Sequence, residues 1–126
     1  MNHIIYAGLP EHIKKQAAQP FRFRNLKFEQ LNRVLANACS LVGCEYSDLM
    51  SGSRKQEVIT AKRLFCHYLR TYTNMTLVSI GKYLGLDHVT VMHHARNLNG
   101  YLEFNDEESV RLHKQYKDMN SELLEL

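Results

Sequence analysis

At 126 residues, 44% hydrophobic and with only 6 Gly and 2 Pro, the chain has the length and composition of one helical domain with tails. Its formal net charge of +3 conceals a division: residues 1–100 carry 13 Lys/Arg against 6 Asp/Glu, and residues 101–126 carry 3 against 7, which is +7 followed by −4. A Gly-x-x-x-x-Gly-Lys-Ser/Thr phosphate loop, a signal peptide, a lipidation motif and a long apolar run are all missing, so the expectation is a soluble, cytoplasmic protein with no nucleotide cofactor. The 3 cysteines are odd in number and lack Cys-x-x-Cys spacing, which argues against a disulfide framework and a zinc finger and for reduced thiols.

Residues 1–27 read as a basic N-terminal arm carrying Lys14, Lys15, Arg22 and Arg24, broken by Pro10 and Pro20, with one short helix around residues 11–18. Such an arm either packs on the domain or crosses a DNA backbone, and Phe21 and Phe23 fit anchors to a core better than base-stacking platforms. From Phe28 the pattern turns regular. Leu31, Val34, Leu35, Ala38, Leu41 and Val42 make one apolar stripe, stopped by Gly43. One further turn is expected over residues 46–50, capped by Ser47, before the loop Ser51-Gly52-Ser53. Ser53 with Gln56 reads as a capping box for a helix that runs to about Tyr72 and buries Val58, Ala61, Phe65, Tyr68 and Leu69.

Next come two helices joined by a tight turn. Thr76 can cap the first, along which Leu77, Ile80 and Leu84 recur at helical spacing, and Gly85 supplies the left-handed residue that ends it. Asp87 caps the second, whose inner face is Val91, Ala95, Leu98 and Leu102, so that His88, Val89, His93 and Arg96 point elsewhere. This is a helix-turn-helix, which places the first residues of its second helix against base edges in the major groove. Beyond Gly100, Asn105 or Asp106 can cap a last helix that is acidic at its start, as the helix dipole favours. There Leu112, Tyr116, Met119, Leu123 and Leu126 form a short heptad seam. It packs either on the chain's own first helix or against a second copy or another protein, and its brevity favours the first.

The stretch Ile80-Gly81 through Asp87-His88-x-Thr90-Val91-x-His93, the lead-in Thr73-Asn74-x-Thr76-Leu77 and the loop Ser53-Arg54-Lys55 resemble the C-terminal DNA-binding domain of the bacterial replication initiator DnaA. The likeness covers residues 28–100. It implies an all-α, Trp repressor-like helix-turn-helix domain at 28–100, to which the residue pattern adds the arm at 1–27 and an acidic amphipathic helix at 101–126. It departs from the family in three places: a turn one residue shorter, Leu86 where a basic residue is usual, and Val89 in place of a hydroxyl. His94 likewise stands where the family has a small residue, and no role is assigned to it.

The resemblance implies sequence-specific binding of double-stranded DNA, in transcription regulation or at a replication site, without ATPase or other catalysis. It points to Arg54 in the minor groove with Lys55 beside it, Lys62 and Arg63 toward phosphates, and Asp87, His88, Val89, Thr90 and His93 on the recognition helix. The residue chemistry agrees. A carboxylate can accept from cytosine N4, and an apolar side chain can press on a thymine methyl. The plainer roles are a cap for Asp87, a cap-supporting hydroxyl for Thr90 and solvated loop charges for Arg54 and Lys55. His88, His93 and His94 lack the i, i+4 pair of helical zinc sites, so no metal is assigned. The rival function is a protein-interaction adaptor that reuses the same surface, favoured by the apolar Leu86 and Val89.

Overall fold

The structure, a computed structural model, describes residues 26–122, and these form six helices: α1 Phe28–Val42, α2 Tyr46–Met50, α3 Gln56–Tyr72, α4 Leu77–Leu84, α5 His88–Glu103 and α6 Glu107–Met119. Of the N-terminal arm expected over residues 1–27, residues 1–25, with Phe21 and Phe23, lie outside the described residues. α3 is the central helix. It packs against α1 and α5, α4 lies against α5, and α6 returns across α1 and α5. The all-α fold follows the periodicity read from the sequence.

α1 begins where the Lys27 backbone N–H donates to Gln30 Oε1 at 2.8 Å, and it buries Leu31, Val34, Leu35 and Ala38 as expected, with Cys39 in addition. At its end the N–H groups of Gly43 and Cys44 both reach the Cys39 carbonyl, so Cys39 and Cys44 take the paired positions of a Schellman stop. Burial drives the Cys39 thiol up to about 12. All three cysteines are free thiols.

Two caps differ from expectation. Glu45, not Ser47, precedes α2, and its backbone N–H donates to Asp48 Oδ2 at 3.4 Å. Lys55, not Ser53, precedes α3, and the Ser53 hydroxyl accepts from the Lys55 N–H at 3.3 Å, two residues too early to serve the helix amides. Serine binds its own backbone two residues on as readily as it caps a helix, and the loop geometry selects the first use here.

α3 buries Val58, Ala61, Phe65, Tyr68 and Leu69, and also Lys62, Leu64, Cys66 and His67, because other helices enclose it on several sides. Asp106 caps α6 by accepting from the Ser109 backbone N–H at 3.0 Å and hydroxyl at 2.7 Å.

The seam on α6 docks in cis, in a different phase from the heptad reading. Tyr116 is fully buried and its hydroxyl donates to the Val34 carbonyl at 2.6 Å, while Leu112 is packed against the core. Met119 is 40% exposed, and the next inward position is Asn120, fully buried, accepting from Asn37 Nδ2 at 2.8 Å. The contact line is therefore 112, 116 and 120, an i, i+4, i+8 row, and not the alternating 4-3 row of a coiled coil. Leu123 and Leu126 lie outside the described residues.

Candidate nucleic-acid interface

The turn between α4 and α5 is built from local signals. Thr76 and Ser79 bond reciprocally, each backbone N–H donating to the other's hydroxyl at 3.1 Å, which sets the start of α4. Gly85 ends that helix at φ 72°, a conformation that costs glycine little. The Leu86 N–H reaches back to the Gly81 carbonyl at 2.8 Å, and the chain passes so close that a Cβ on Gly81 would overlap the Leu86 carbonyl oxygen. Backbone cannot yield as a flexible side chain can. Gly81→Ala is expected to lower stability by about 1–3 kcal/mol and to disturb the α4–α5 angle, which urea denaturation of the two proteins would read. Equal midpoints would show that the turn has slack.

Leu86 is half-buried and packed against the core, so its apolar character serves the fold. Asp87 then caps α5. Its Oδ1 accepts from the Val89 N–H at 3.0 Å and lies 3.2 Å from His88 Nδ1, so one carboxylate oxygen both satisfies the helix end and steadies the imidazole beside it. With Val91 fully buried, the first turn presents outward His88 at 58% side-chain exposure, Asp87 at 64% and Val89 at 39%. His93 and Arg96 are exposed, and Thr90 is half-buried. Arg54 and Lys55 are exposed in the loop that leads into α3.

Lys62 and Arg63 are placed differently. Lys62 keeps only 9% of its surface, and Arg63 is half-buried with its guanidinium carbon 5.5 Å over the ring of Tyr101. Neither side chain stands freely in solvent, as long basic stems often do not. Their charges bear on His94 of α5, whose imidazole is pushed below its ordinary range by burial first and then by Lys62, Arg63 and His93. The sequence reading does not single out Tyr101, and it assigns His94 no role. The spacing 94, 98, 101 puts them on one face with the buried Leu98, and that is the signal that could have found them.

A family model described as the bacterial dnaA protein helix-turn-helix matches residues 31–98. The chain belongs to this family. The chromosomal replication initiator protein DnaA of Bacteroides thetaiotaomicron is 32% identical over 74 residues, 58% of this chain and 16% of that protein. Its counterpart in Rhodopseudomonas palustris strain TIE-1 is 27% identical over 100 residues, 79% of this chain and 21% of that protein. The one in Picosynechococcus sp. is 29% identical over 96 residues, 74% of this chain and 21% of that protein. The chain thus spans about a fifth or less of the length of these relatives. No solved structure matches it.

The matched family segment contains the Arg54 loop, the α4–α5 turn and the first turn of α5, and it stops before α6. Among the described residues no group of three His, Cys, Asp or Glu is arranged to hold a metal ion, and no helix is long and apolar enough to cross a membrane.

Proposed function

We propose that this domain binds double-stranded DNA with sequence preference through the N-terminal turn of α5. The observation that carries this reading is the exposed set Asp87, His88, Val89 and His93, held by a cap at the end of a tight turn in a helix-turn-helix family member. In this reading His88 and Asp87 meet base edges, and Val89 meets a thymine methyl. Thr90 and His93 meet the backbone, and Arg54 with Lys55 enters the neighbouring minor groove. Lys62 and Arg63 supply positive potential behind the helix. The +7 balance of residues 1–100 suits the phosphate backbone, and the −4 balance falls in residues 101–126. The use we propose is transcription regulation or replication-site recognition in the cytoplasm.

The adaptor reading rested on two apolar residues. Leu86 is accounted for by its packing against the core, which leaves Val89 alone to favour a protein partner.

Selection of bound sequences from random duplexes, followed by anisotropy with the selected site, tests the proposal. Affinity should fall steeply with salt as counterions are released. Arg54→Ala should cost about 1–3 kcal/mol and relax preference at an AT-rich flank. In His88→Ala, sequence preference should vanish while non-specific affinity and melting temperature hold. A salt-independent affinity would favour the adaptor, and loss of helicity in His88→Ala would make that residue structural.

A further inference from the structure

We propose that His94 is a proton-linked phosphate contact: a phosphate seated on the seam between α3 and α5 meets His94 as an imidazolium, so duplex binding takes up a proton there. The inference rests on the DNA-binding reading and adds to it a residue and a pH dependence that the family's motif does not carry, because the family has a small residue at this position.

The geometry comes from helical register. On α5, positions 94, 98 and 101 share one face. Leu98 is buried at 5% exposure, and Tyr101 carries the Arg63 guanidinium over its ring. His94 therefore belongs to the row that lies along α3, half-buried and six residues beyond His88, between one and two turns from the exposed tip of the recognition helix. The charged groups that bear on it are Lys62 and Arg63 from α3 and His93 from α5. No carboxylate of the described residues is among them, and neither ring nitrogen of His94 hydrogen-bonds to a described residue. Half-buried histidines are ordinarily settled by an acid or a carbonyl. This one faces a set of positive charges that has no counterion among the described residues.

An anion is what such a seam lacks. Without one, partial burial first and the neighbouring cations second disfavour the protonated ring of His94. A phosphate oxygen within reach reverses the balance, because the opposite charge favours the protonated ring and gives it a second donor. The sign follows from linkage. His94 binds protons more tightly in the complex than in the free protein, so affinity rises as pH falls through the interval between the bound and free values. One proton limits the slope to about tenfold in affinity per pH unit.

The test is fluorescence anisotropy with a labelled mixed-sequence duplex at constant ionic strength, from about pH 8 to about pH 5.5, across the ordinary histidine range. Wild type is compared with His94→Ala and with His94→Gln, which keeps a hydrogen-bonding side chain but cannot take up the proton. His88 and His93 remain in all three proteins, so their titration cancels in the comparison. The expected result is that wild-type affinity gains up to about tenfold per pH unit over both variants as the solution is acidified, while all three bind alike at the alkaline end. Calorimetry in two buffers of different ionisation heat should find about one more proton taken up by wild type. Parallel pH profiles for the three proteins would overturn the assignment. Failure of the wild type to bind duplex at any pH in low salt would remove the DNA-binding reading itself, and this inference with it.

Discussion

Acidifying the protein from neutral pH to about pH 4 should remove about 3 kcal/mol of stability through His67 alone. His67 lies on α3 with 6% of its surface exposed, and its Nδ1 is buried without a hydrogen-bond partner among the described residues. The ring of His113 on α6 stands 5.2 Å away, edge to face. Burial first and the charge of His113 second lower the His67 imidazole from 6.5 to about 4, against the smaller opposing effect of Asn99. The unfolded chain therefore binds the proton first. The stabilisation is fully present above about pH 6.5 and is lost as pH falls toward about 4. His113 is lowered as well, by burial and then by Lys117, and contributes in the same direction. Urea denaturation at a series of pH values would measure this, with His67→Leu as the comparison that removes the titrating group. A wild-type profile flat across that range, or an identical acid loss in the variant, would contradict the account.

Tyr116→Ala should destabilise the fold by about 3–5 kcal/mol, the usual cost of deleting a buried aromatic. The side chain is fully buried, stands 5.3 Å from Tyr68 ring to ring, and ties α6 to α1 through its hydroxyl bond to the Val34 carbonyl. Tyr116→Phe keeps the volume and loses only the hydrogen bond, so its expected cost is about 0.5–1.5 kcal/mol. The gap between the two variants separates packing from polar tethering. Thermal melting read at α6 and at the whole-chain helix signal should shift together, because Tyr116 belongs to the same core as Leu35, Phe65 and Val91. A loss below about 1 kcal/mol in the alanine variant would mean that α6 is a dispensable appendage, since surface positions cost that little.

Much of the fold and of the geometry of the candidate site is legible locally. Thr76, Gly85, Asp87 and Asp106 do in the structure what their chemistry announced, because a cap or a left-handed stop is decided by groups within a few residues of each other. The inner faces of α1, α3 and α5 were likewise readable from 3.6-residue spacing. The position of His88 at the outer start of α5 follows from the same register.

Other features depended on what each helix met. Nothing in the run around Lys62 and His67 marks them as buried. They are enclosed because α3 is packed on several sides, and an amphipathic pattern records only one face. Leu86 looked like an exposed apolar departure until the turn laid it on the core. On α6 a heptad and an i, i+4, i+8 row share Leu112 and Tyr116, so spacing alone could not choose between Met119 and Asn120. The sequence by itself determined where α4, α5 and α6 begin and where α1 and α4 end, because those signals are short-range, whereas loop geometry set the starts of α2 and α3 at Glu45 and Lys55. The packing of α3, α5 and α6 decided which side chains are buried, where His94 sits and how α6 docks, because burial depends on helix placement that residues far apart in the chain set together.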